Sequence, residues 1–127
     1  MLFAEDSNGV RIFIATNGSI VVQQVGIVDA VASAAATLVA GVPFVLTTRL
    51  SGGTAVIRKN GVQVATNAIV LTFSAVTGAR LGANFSGGQL LSGALGWVVP
   101  IAAGLSDADC LTVERLAGSN FPGMASF

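Results

Sequence analysis

The chain has 127 residues, of which 53% are hydrophobic and 9% are charged, and six basic residues balance six acidic ones. One folded domain is the expectation at this length. An average soluble domain is about 25% charged, so the low charge and the mean hydropathy of +0.80 exclude a disordered chain, a coiled coil and a basic nucleic-acid-binding arm. We therefore expect no nucleic-acid partner.

The residue types that are missing exclude several chemistries. Histidine is absent and Cys110 is the single cysteine, so the chain offers neither an imidazole base nor the four Cys or His ligands of a structural zinc site. Asp6 with Asn8 is one local pair that could contribute to a Ca²⁺ site, but turn chemistry explains it more simply. We expect no enzyme, metal or cofactor, and we expect Cys110 to be a small buried hydrophobe.

Apolar residues that alternate with other residues predict β-strands along most of the chain. The turns between them are marked by Asn-Gly at 8–9, 17–18 and 60–61, which favours type I′ hairpins, and by the tight turn at 51–53. Residues 10–16 should pair with 19–25, and residues 54–59 with 62–66. Strands are expected at residues 10–16, 19–25, 30–38 (alternatively a helix), 42–50, 54–59, 62–66, 68–73, 79–83 and 94–101.

One short helix is predicted at residues 106–117. Ser106 can cap its first free N–H groups, and the acidic residues that follow favour the positive end of a helix. Gly118 is the expected stop. The predicted buried face consists of Cys110, Val113, Leu116 and Ala117, with Glu114 and Arg115 toward solvent.

These elements predict an all-β fold, an antiparallel two-sheet β-sandwich with one short C-terminal helix. Residues 1–118 would form the domain, closed by the helix. Residues 119–127 would form a tail that docks through Phe121 and Phe127.

The low charge also raises the question of a membrane. The charge-free stretches at residues 30–48 and 81–106 are interrupted by Gly, Ser, Thr, Asn or Pro, which is not typical of a spanning helix. The acidic start at Glu5 and Asp6 does not resemble a secretory signal. We expect neither a signal peptide nor a membrane span, and we expect other protein to cover much of the surface.

Several segments, in this order, resemble the concanavalin-A-like, laminin-G-type jelly rolls. In the central hairpins of that family, one strand is introduced by Gly and an aromatic residue, and the next strand ends in Asn-Gly. The central hairpins of this chain are similar in both respects. A Gly-containing strand, a last long strand and a Leu-Ser-acid helix start are similar too. The similarity lies in residues 41–47, 53–62, 80–83, 93–99 and 105–109, within 10–118.

The resemblance implies a short jelly roll of the kind found in accessory proteins of phage virions. It implies a non-catalytic module such as a capsid decoration (cement) or tail-associated protein, held by apolar contacts to copies of itself or to a capsid or tail protein. The virion would then be its location. The family also contains sugar binders, so a carbohydrate-binding module is the alternative, and a fragment of a longer lectin-like domain is a third.

Five residues are candidates for an interface or ligand site. Trp97 is the single tryptophan and lies in an apolar stretch, which favours burial in the core or an interface over a sugar platform. Asn84 and Phe85 lie in a predicted loop that could hold a ligand, and Phe121 and Phe127 belong to the docking tail. Arg58 and Lys59 are predicted to be a solvated turn or protection for an edge strand.

Overall fold

The computed structural model describes residues 3–5, 9–24, 31–69, 79–82, 91–121 and 123–124. Eight strands and one helix are present in these ranges. They are β1 (Phe3–Glu5), β2 (Val10–Ile14), β3 (Ile20–Gln24), β4 (Val31–Ala32), β5 (Leu46–Ser51), β6 (Thr54–Lys59), β7 (Val62–Ala68), β8 (Ala79–Leu81) and α1 (Asp107–Ser119).

The strands form two antiparallel sheets. The first sheet has the order β4-β3-β2-β1-β8, and the second has the order β5-β6-β7. Neighbours follow one another in the chain, except that β8 returns to pair with β1, with Phe3 opposite Leu81. The predicted all-β architecture with a C-terminal helix is confirmed, and a jelly-roll connection of the strands stays a prediction.

The core lies between the two sheets. Strands β3 and β4 of the first sheet contact β6 and β7 of the second. Apolar side chains from both sheets form one buried cluster, because alternate residues of each strand point to the same side. The cluster contains Val10, Ile20, Val22, Val31, Leu38, Ala55 and Ile57.

The two hairpins of the second sheet form as the sequence predicts. Asn60 and Gly61 have φ angles of +48° and +79°, the left-handed pair that a type I′ turn requires, and Lys59 lies opposite Val62. Gly52 and Gly53 also have positive φ and connect β5 to β6. β7 bulges next to the Ile57/Arg58 step.

The turn at residues 17–18 differs from the prediction, although β2 and β3 pair as expected. The N–H of Ala15 donates to Ser19 O at 2.9 Å and Ala15 O accepts from Gly18 N–H at 2.9 Å, which closes a three-residue loop. Gly18 has a φ of +78° whereas Asn17 does not enter the left-handed region. The Asn17 side chain instead accepts a hydrogen bond from Ser19 N–H at 3.1 Å, so a type I turn with a left-handed glycine replaces type I′.

Several predicted strands are shorter than expected or absent. In residues 30–38 the strand β4 covers two residues, and a turn follows in which Ala36 has a φ of +56°. β5 begins at Leu46 rather than at residue 42, and residues 94–101 belong to neither a helix nor a strand. Residues 25, 30, 70–73 and 83 of the predicted strands, and Asn8 of the first Asn-Gly pair, lie outside the described residues.

Helix α1 begins where the sequence predicts. The Ser106 side chain accepts from Asp109 N–H, and the Asp109 side chain accepts from Ser106 N–H, so each group satisfies the other in a capping box. The helix runs through Gly118 and ends at Ser119, with Asn120 as its C-cap. The predicted end of the helix at Gly118 is therefore wrong, because the helix continues to Ser119.

The buried face of α1 also differs from the prediction. It consists of Cys110, Glu114 and Gly118, whereas Leu116 is 60% exposed and Val113 is 36% exposed. Glu114, predicted to face solvent, is fully buried. It forms an ion pair with Arg58, a buried arginine of the second sheet. Cys110 is buried, as predicted.

Candidate interaction surface

The segment that connects β8 to α1 contains an uncharged, exposed apolar strip, which we define as Leu95, Trp97, Val98, Val99 and Ile101. Each of these side chains is between 42% and 61% exposed. No residue from 81 to 106 is charged. Scattered apolar residues on a surface are ordinary, but five in seven consecutive positions form a patch of the kind that marks an interaction site.

Both ends of this segment are attached to the sheets. Near its start, the Leu91 N–H donates to Gly82 O at 2.7 Å, directly after β8. At its end, the Arg49 side chain of β5 donates to Leu105 O at 2.8 Å and forms an ion pair with Asp107 at 2.8 Å. The segment is thus held at two places while the strip between them is exposed.

Gly104 supports the second attachment. A Cβ atom added to Gly104 would lie 2.7 Å from the Ser51 Oγ atom. The backbone at Gly104 therefore passes close to the Ser51 side chain at the end of β5.

The backbone of the strip makes no hydrogen bonds within the described part of the chain. No N–H or C=O group of residues 93–102 takes part in one. These groups are strong donors and acceptors, which in a covered state need partners. The strip thus combines exposed apolar side chains with backbone groups that have no partner among the described residues.

Trp97 and Phe121 are the two predicted site residues that the structure brings together. Their ring centroids are 5.7 Å apart with an interplanar angle of 71°, an edge-to-face contact. A Cβ atom at Gly96 would lie 2.5 Å from the Phe121 ring, so this ring occupies the space beside the glycine. Phe121 is half-buried, and Trp97 is 57% exposed.

The other predicted site residues, Asn84, Phe85 and Phe127, lie outside the described residues. Four members of the strip, Leu95, Val98, Val99 and Ile101, were predicted as one strand rather than as a surface. The charge-free run from 81 to 106 was the available signal. Phe121 of the predicted tail contacts Trp97, and docking of the tail as a whole stays a prediction.

A buried ion pair fastens α1 to the second sheet. Arg58 Nε donates to Glu114 Oε1 at 2.8 Å, and Arg58 Nη2 donates to Gly61 O at 2.8 Å. The hydrogen bond to Glu114 raises the pKa of Arg58 above its ordinary value, against the lowering effect of burial. The prediction of a solvated turn or of edge-strand protection at Arg58 is therefore wrong, because the residue is buried on the central strand β6 beneath the helix. Its role is structural.

Among the residues that the structure describes, no three His, Cys, Asp or Glu side chains are grouped so that they could hold a metal ion. Within the same residues, no helix is both long enough and apolar enough to cross a membrane. Asp107 and Asp109 lie in the first turn of α1, as predicted.

Comparison of the chain with known protein families, curated proteins and solved structures finds no match.

Proposed function

We propose that this chain is a non-catalytic structural module that associates with other protein through the apolar strip. The observation that carries the proposal is the exposure of five neighbouring apolar side chains on an uncharged segment. Full burial of one Val, Leu or Ile side chain stabilises by about 1.5–3 kcal/mol. Covering five half-exposed side chains therefore supplies on the order of 4–8 kcal/mol per copy, before the cost of association.

We further propose that the assembly is a phage particle in which this chain is a capsid decoration (cement) protein or a tail-associated protein. The resemblance to short concanavalin-A-like or laminin-G-type jelly rolls supports this proposal, and two antiparallel sheets with one helix agree with it at the level of fold class. Antibodies against the chain should label the surface of the particles whose genome encodes it. Label confined to the soluble fraction would contradict the virion location.

Light scattering of the purified chain between 1 and 200 µM tests the association. We expect a mass above that of one copy, and we expect Val99→Lys to shift the mass toward the monomer, since a charge would be buried without a partner. Val62→Lys is the matched control because Val62 is 62% exposed and Val99 is 61% exposed. A wild-type chain that stays monomeric throughout, or equal effects of the two variants, would overturn the proposal.

Carbohydrate binding is the second candidate, and the exposure of Trp97 is the observation that favours it. Sugars stack on exposed aromatic rings that are flanked by polar groups. A glycan array followed by calorimetry with and without EDTA tests it, with Trp97→Ala as the variant. The neighbours of Trp97 in the strip are apolar, which is why we place protein contacts first.

A further inference from the structure

The apolar residues of the strip alternate as in a strand, although residues 94–101 belong to no strand in the structure. From residue 94 to 101 no φ angle is positive, and the segment is not helical. Leu95, Trp97, Val99 and Ile101 occur at every second position, so in an extended backbone their side chains lie on one face. In that backbone Gly96, Val98 and Pro100 lie on the opposite face. The Phe121 ring contacts Trp97 and occupies the space beside Gly96.

We propose that two copies of the chain associate by antiparallel pairing of residues 95–101 about a two-fold axis at Val98. The proposal rests on the proposed function and identifies the partner and the geometry of the same surface. Unpaired backbone groups of one copy are satisfied by those of the other, as in strand addition at a sheet edge. The axis at Val98 places Leu95 opposite Ile101 and Trp97 opposite Val99 of the second copy.

Two observations favour a second copy over a different protein. The segment is charge-free and the whole chain is neutral, so the strip holds no charge that would select a charged partner. The pairing is self-complementary, since large side chains meet large ones and Pro100 meets Gly96.

Pro100 determines which residues exchange hydrogen bonds. Proline has no N–H, so it is tolerated in a pair whose N–H groups point away from the neighbouring strand. In an antiparallel ladder the two kinds of pair alternate. If the pair of Pro100 with Gly96 is non-hydrogen-bonded, the Val98 pair is too, and residues 95, 97, 99 and 101 exchange about eight hydrogen bonds between the copies.

This register makes Val98→Cys a sharp test. Cα atoms across a non-hydrogen-bonded pair are about 4.5 Å apart, within the range of a disulfide. The two Leu95 positions would be separated by about six residues along the strand, roughly 20 Å, so Leu95→Cys is the matched control. The wild-type chain controls for Cys110, which is buried. Under mild oxidation we expect Val98→Cys to form a covalent dimer at least tenfold faster than Leu95→Cys.

Amide hydrogen exchange of the unmodified chain gives a second measurement that needs no variant. We expect slow exchange at residues 95, 97, 99 and 101 and fast exchange at residues 96 and 98, at concentrations where the chain associates. Equal cross-linking of the two cysteine variants, or uniform exchange along the strip, would overturn the pairing. If Val99→Lys still reduces the mass in that case, the proposed function stands. A chain that is monomeric at all concentrations contradicts both.

Discussion

Removal of the buried carboxylate of Glu114 tests how α1 is held to the sheet. The Glu114 side chain is 0% exposed and that of Arg58 is 8% exposed. Glu114→Ala leaves a buried guanidinium that keeps its bond to Gly61 but loses its counter-charge. Breaking such a pair costs about 3–5 kcal/mol. For 127 residues this corresponds to a decrease in Tm of about 11–19 °C.

Asp107→Ala is the matched control for Glu114→Ala. Asp107 also lies in α1 and also pairs with an arginine at 2.8 Å, but its side chain is 64% exposed. An exposed pair contributes at most about 1 kcal/mol, and an acid at a helix start contributes about 0.3–1 kcal/mol. Scanning calorimetry that finds equal losses for the two variants would refute the reasoning from burial. Arg58→Met combined with Glu114→Leu should recover most of the loss.

The pH dependence of the Glu114→Ala effect follows from the direction of the Arg58 pKa. Because the pKa is raised in the folded state, the stabilisation is fully present below the ordinary pKa of arginine and is lost only as the pH rises through the raised value. Both lie above the range of ordinary assays. The difference in Tm between Glu114→Ala and the wild type should therefore be the same at pH 7 and pH 9.

Three further predictions concern turns and the helix cap. Asn60→Pro combined with Gly61→Val should abolish the β6–β7 hairpin, because neither new residue adopts the left-handed angles, and native far-UV circular dichroism would contradict this. Gly18→Ala should cost more in urea unfolding than Gly41→Ala: both glycines have a φ of +78°, but a Cβ at Gly18 would lie 2.7 Å from a facing carbonyl oxygen, and one at Gly41 contacts nothing. Ser106→Ala should cost about 0.5–2 kcal/mol in the same assay, and an unchanged midpoint would show that the capping box does not stabilise the protein.

Local signals in the sequence predicted the parts of the fold that local geometry decides. The type I′ turn at Asn60 and Gly61 depends on two residues that tolerate positive φ, and the start of α1 depends on Ser106 and Asp109. Both are readable from a few adjacent letters. The Asn-Gly rule failed at Asn17, where a three-residue loop forms instead. Two backbone hydrogen bonds stabilise this loop, from Ala36 N–H to Asn17 O and from Leu38 N–H to Gly18 O.

Tertiary partners decided the features that the sequence did not predict. Helical spacing alone assigns Glu114 to the solvent side, because its partner Arg58 is 56 positions away in the sequence. An acid and a base that satisfy each other in the interior cannot be recognised from helical spacing. The strip was recognisable as apolar, but alternation in a sequence does not show whether a strand has a neighbour. Whether residues 94–101 pair with another strand depends on the positions in space of the end of β8 and the start of α1. The sequence does not give these positions.

The pairing of β1 with β8 has a consequence for the order of folding. The second sheet uses residues 46–68, joined by two tight turns, so its contacts are short in sequence and should form early. The first sheet is complete only when Leu81 returns to Phe3. During synthesis the leading strand therefore leaves the ribosome long before its outer neighbour exists, and one edge of the nascent sheet stays open until more than half of the chain has been translated.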